Sequence, residues 1–176
     1  YLSDLPDMGI ASHFTDKNPL NIEATGLIAV LFPNASIVHI RRNPVETCLS
    51  IFKHKFSKFW PFAHSLSDIA HFYSQYAELV SHWESILDDR FLTIQYEEFA
   101  THFSAMAPEL IKHCNLEWED QCLDFQKDNR AISTLSAVQV RGPVKASPGI
   151  SEHYREFLEP LLKELSRHRP GDGRVN

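Results

Sequence analysis

The sequence predicts an α/β fold in which a partial parallel sheet is flanked by helices. Two observations carry that prediction. Residues 20–56 read as a helix–strand–helix unit, and a long amphipathic stretch over 67–87 is followed directly by a second β-rich run at 91–96. A third sets the scale. The chain has 176 residues, 43% of them hydrophobic and 23% charged, which is enough for one domain with a real core.

The elements follow in order. Asp16-Lys17-Asn18-Pro19 reads as a turn opening a helix over 20–32, with Asn18 as cap and Pro19 in the first turn. Pro33-Asn34 ends it. Ser36-Ile37-Val38-His39-Ile40 is a short β-rich run without clean alternation, the pattern of a strand covered on both faces. Arg41-Arg42-Asn43-Pro44 leads into a helix over 45–56, with Asn43 and Pro44 again as cap and first turn. On the 67–87 helix, Ile69, Phe72, Tyr73, Tyr76, Val80 and Trp83 recur at helical spacing and read as core. Phe91-Leu92-Thr93-Ile94-Gln95-Tyr96 is the second strand. Helices over 97–114, 119–125 and 152–167 complete the reading. The stretch 129–151 is irregular and rich in small residues, as functional loops often are. Residues 1–168 are expected to form one domain, and 169–176 a flexible tail.

Charge and cysteine content narrow the function classes. A net charge of −6 disfavours a nucleic-acid reader, while leaving room for an anion at a local Arg and Lys cluster. No apolar run is long enough to span a bilayer, and no signal peptide is visible. Three cysteines without a CxxC pair point to reduced thiols and a cytoplasmic protein. The ten histidines show no metal-ligand spacing, so no metal is expected.

The chemistry concentrates at the first strand's end. Arg42 offers a permanently charged, two-pronged donor where ligands of open α/β sheets sit, and the following helix offers N–H groups and a dipole to an anion. Ser50, eight positions on, adds a hydroxyl from the same side. Together they suit a terminal phosphate. The structural alternative is that Arg42 caps the strand or pairs with Glu46.

Arg42-Asn43-Pro44 followed by Ser50 resembles the 3′-phosphate-binding segment of sulfotransferases that use 3′-phosphoadenosine 5′-phosphosulfate (PAPS). Phe14-Thr15-Asp16-Lys17-Asn18-Pro19, Leu31-Phe32-Pro33-Asn34-Ala35, Ser81-His82-Trp83, Tyr96-Glu97-Glu98-Phe99 and the segment 136–143 occur in the family's order, so the resemblance covers residues 14–154. It is strongest to the tyrosylprotein sulfotransferase-like bacterial enzymes often fused behind tetratricopeptide repeats. The resemblance implies a P-loop-like sulfotransferase fold and sulfuryl transfer from PAPS to an acceptor hydroxyl on a peptide tyrosine, carbohydrate or small molecule. It implies that Arg42 and Ser50 hold the 3′ phosphate, that Tyr96 lies near the nucleotide, and that Lys17 and Ser136 stand beside the transferring group. Arg141 either approaches the nucleotide phosphates or anchors its own loop. Tyr96 and Lys17 have structural alternatives, as a half-buried core tyrosine and a solvated loop lysine.

The chain departs from the family in three places. The glycine-rich Pro-x-Ser-Gly-Thr-Thr loop that cradles the 5′ phosphosulfate is missing, and the six glycines form no substitute. The catalytic glutamate of the peptide-sulfating relatives belongs to the same missing region; Glu23 and His13 do not match it. The basic residue expected near Ile150 is absent, with Arg155 the nearest candidate to replace it. The expectation is an amino-terminally incomplete sulfotransferase domain with an exposed sheet edge prone to self-association. The alternative is a non-catalytic domain that binds adenosine bisphosphate or a protein partner.

Overall fold

A computed structural model of the chain describes residues 12–54, 60–127, 149 and 151–167. Ser136 and Arg141 lie outside these residues, as do the segment around them and the tail.

Two parallel strands form the sheet: β1 (Ile37–Arg41) beside β2 (Phe91–Gln95). Parallel neighbours require a long crossover. Two helices supply it, α2 (Pro44–Lys53) and the 22-residue α3 (Leu66–Leu87). Ahead of β1 come a helical turn at Pro19–Ile22 and α1 (Thr25–Leu31). After β2 the chain continues through α4 (Tyr96–Thr101), α5 (Phe103–His113), helical turns at Asp120–Lys127 and Ser151–Phe157, and α6 (Glu159–Arg167).

The caps form as the sequence indicates. Asn18 Oδ1 accepts from the Leu20 N–H at 3.0 Å, and Asn43 Oδ1 accepts from Val45 and Glu46 at 2.9 and 3.2 Å. Three expected helices are each interrupted. The indole N–H of Trp83 takes the carbonyl of Ile22 at 2.9 Å, which separates the Pro19–Ile22 turn from α1. His102, at φ −115° and ψ 34°, divides α4 from α5. Before α6 the chain breaks at Leu158; Pro160, in the first turn of α6, has no N–H to bond back to the preceding turn, which favours a break there.

The main core lies between α2, α3 and α6. Cys48, Leu49, Ile69, Ala70, Leu158 and Leu161 are all buried there. Burial in this apolar setting pushes the Cys48 thiol up to about 12, so it packs as a small hydrophobe. α3 also carries the sheet, and the side chain of His39 on β1 is buried against it. The opposite face of β1 is open: Ile40 is 56% exposed. This corrects the expectation of a strand covered on both sides. Among the described residues β1 pairs with β2 alone, and no helix is long and apolar enough to cross a membrane.

Candidate functional site

Strand register builds the site. Arg41 lies opposite Gln95 in the parallel pair, so the next residues, Arg42 and Tyr96, leave the two carboxyl ends side by side. The Arg42 guanidinium stands over the Tyr96 ring, 5.0 Å from its centre. A flat cation over an aromatic face is held in place without losing its outward N–H groups. Arg42 Nε lies 4.0 Å from Glu97 Oε1, and the same carboxylate oxygen accepts the Asn43 N–H at 3.0 Å. Glu97 therefore fixes both the guanidinium and the backbone that carries it.

Arg42 does not pair with Glu46. The Glu46 carboxylate instead accepts the Ser151 N–H at 2.8 Å, tying the first turn of α2 to the segment before α6. Arg155 from that segment lines a cavity of about 250 Å³ together with Asn43, Val45, Ser151, Leu158 and Leu162. It is 77% exposed and lies 3.7 Å from Glu152, so its guanidinium is solvated beside the start of α2.

The amino terminus of α2 differs from the expected anion cradle. Asn43 Oδ1 fills the Val45 and Glu46 N–H groups, the Thr47 N–H bonds to the Asn43 carbonyl, and Pro44 has none to give. The strong cap uses the donors that an unpaired helix end would offer, leaving side chains and the helix dipole to meet an anion. Ser50 sits two turns along α2, half-buried, and its carbonyl receives His54. Lys17 is exposed in the segment that leads to the Asn18 cap. Among the described residues no group of His, Cys, Asp or Glu could hold a metal.

A second polar feature lies beneath the strands. His39 Nδ1 is 3.1 Å from Thr93 Oγ1, Thr93 donates to Glu84 Oε1 at 2.5 Å, and Arg41 Nη2 reaches that oxygen at 3.4 Å. His39 Nε2 meets the Tyr76 hydroxyl. Burial, reinforced by the Arg41 charge, lowers His39 to about 4, so its ring is neutral near pH 7. Since Thr93 spends its proton on Glu84, Nδ1 must be the donor, Nε2 the acceptor, and Tyr76 the donor to Nε2. Tyr76 also lines a cavity of about 510 Å³ between α3 and the Pro19–Ile22 turn, with Ile22, Glu23, Phe72, Glu78 and Leu79. The helical stripe had marked Tyr76 only as core, because periodicity reports which face is covered and not what it touches.

The model of the "Sulfotransferase family" matches residues 5–120, well over half of the chain. The chain belongs to that family. The matched span includes Lys17, Arg42, Ser50 and Tyr96. An uncharacterized protein of Aquifex aeolicus (strain VF5) is 29% identical over 154 residues, covering 85% of this chain. The chain spans about a fifth (20%) of that relative's length.

Proposed function

We propose that this chain is part of a PAPS-dependent sulfotransferase of P-loop-like fold that transfers a sulfuryl group to an acceptor hydroxyl. The observation that supports the reading is Arg42 projecting from the carboxyl end of a parallel strand, stacked on Tyr96 and steered by Glu97. Such a guanidinium suits the bidentate recognition of a terminal phosphate. Ser50 adds a hydroxyl on the same side, and Arg155 supplies a second guanidinium beside α2, in the role of the family's missing basic residue. Arg141 serves the nucleotide phosphates, and Lys17 and Ser136 serve the transferring group.

In the reaction, the acceptor oxygen attacks sulfur in line. The bond from sulfur to the bridging oxygen of the 5′ phosphate breaks, and adenosine 3′,5′-bisphosphate leaves. Lys17 offsets the negative charge that gathers on the departing phosphate. The acceptor proton passes to a general base as the oxygen attacks; neither that part nor the 5′-phosphate cradle is assigned to a residue of this chain. Cytoplasmic location and attachment to tetratricopeptide repeats belong to the same proposal.

Calorimetric titration with adenosine 3′,5′-bisphosphate tests the reading, with 5′-AMP as control. The bisphosphate should bind more tightly than 5′-AMP, and Arg42→Ala should weaken it roughly tenfold or more, the worth of a charge-assisted hydrogen bond. Equal binding of the two nucleotides, or an unaffected Arg42→Ala variant, would remove the support.

A further inference from the structure

None of the residues proposed for the nucleotide lines the cavity between α3 and the Pro19–Ile22 turn, yet its chemistry is specific. Its floor is apolar: Ile22, Leu79 and Phe72, the last stacked on Phe62 with ring centres 3.9 Å apart. Its charged groups are both acidic. Glu23 and Glu78 bring two carboxylates, and among the described residues neither makes an ion pair. Tyr76 gives its proton to His39, so its oxygen is left with lone pairs to offer a ligand. Among the described residues no Lys or Arg lines the space; Gln75 and His82 complete its wall. At about 510 Å³ it has room for a single substituted ring. Its Ile22 and Glu23 wall belongs to the end of the turn that Asn18 caps.

We infer that this cavity holds the acceptor, and that the acceptor is an aromatic hydroxyl compound bearing a positive charge. Its hydroxyl donates to Tyr76, its ring lies against Phe72 and Leu79, and its cationic end meets Glu23 and Glu78. Acidic peptides and polyanionic sugars are repelled by the same two carboxylates. Tyr76 acts here as a positioning residue, oriented through His39, Thr93 and Glu84. The word acceptor rests on the sulfuryl-transfer reading above; the charge selection does not.

Three phenols of one shape and different charge test it: tyramine, 4-ethylphenol and 3-(4-hydroxyphenyl)propionate. Each is titrated at pH 8 into the ¹⁵N-labelled chain, following the Gln75 side-chain amide and the Trp83 indole by NMR. Tyramine should bind roughly fivefold or more tightly than 4-ethylphenol, from two partly screened ion pairs, and the propionate most weakly. Glu23→Gln with Glu78→Gln should bring tyramine down to the level of 4-ethylphenol. Tyr76→Phe should weaken all three by about fivefold, one net hydrogen bond, while keeping their order. The two glutamates are on the surface, so the double variant reads charge selection even if Tyr76→Phe lowers stability. Equal affinities, an order unchanged in the double variant, or shifts centred away from Gln75 would overturn the inference. Charge-selective binding without an Arg42-dependent bisphosphate site would uphold the cavity and sink the sulfuryl-transfer reading. The reverse result would sink the cavity alone.

Discussion

His39 is the residue on which the sheet and α3 are joined. It is 9% exposed, stacks at 5.9 Å on Phe91, and links Tyr76 of α3 to Thr93 of β2. The charged groups facing it are Arg41, from its own strand, and Glu84, from α3. Burial is the larger cause of its lowered pKa and the Arg41 charge the second; Glu84 opposes them weakly. The unfolded chain therefore takes up this proton near the ordinary value of 6.5, while the folded protein resists it down to about 4. Between those values the unfolded state holds more protons, so stability rises with pH there. The contribution is fully present above about 6.5 and is lost as the pH falls towards 4, a difference on the order of 3 kcal/mol. Urea unfolding at stepped pH should show this acid slope in the native chain, and His39→Gln should flatten it. An unchanged slope in His39→Gln would assign the acid sensitivity to carboxylates instead.

At the scale of elements, α1 meets α3 at a close approach that only glycine permits. A Cβ built on Gly26 would lie 2.7 Å from Trp83 Cη2, while the indole N–H of the same residue holds the Ile22 carbonyl. Alanine is the better helix former by about 1 kcal/mol. Here the clash with a pinned ring outweighs that gain, and Gly26→Ala should cost about 1–3 kcal/mol in urea unfolding. A stabilised variant would mean that Trp83 swings aside freely. This contact also marks how far the sequence could be read. Asn18-Pro19 and Asn43-Pro44 announced their helices because capping is local chemistry. The strands and α3 were legible from apolar runs and helical spacing. The break after Ile22 was not, because its cause, Trp83, lies 61 positions away. The site divides in the same way. Arg42 and Tyr96 were each singled out, but their stacking follows from strand register, and the claim of Glu97 on Arg42 in place of Glu46 needs both strands in position. The filled amino terminus of α2 is the instructive case: the Asn-Pro signal that starts the helix also satisfies the donors expected to bind phosphate.

Across the whole molecule, apolar surface is unevenly covered. α2, α3 and α6 enclose the main core, whereas α1 leaves Leu27, Val30 and Leu31 at 62, 77 and 61% exposure, and β1 leaves Ile40 at 56%. Single exposed apolar side chains are ordinary, but three on one short helix and one on a neighbouring strand are a liability to association. β1 adds to it: within Ile37–Arg41 the only charged side chain is Arg41, at the end, and no proline blunts the strand. The chain by itself is therefore expected to associate as its concentration rises, in a way that salt does not weaken, since apolar contacts are unscreened. Sedimentation velocity over a dilution series at low and high salt checks this. Val30→Lys with Ile40→Thr should shift the chain towards monomer at every concentration while leaving the unfolding midpoint nearly unchanged, because both side chains already face water. A monomer across the whole series would show that this surface tolerates exposure. Association that persists in the double variant would direct attention away from α1 and β1 to other exposed residues, with Phe157 at 72% exposure the first to substitute.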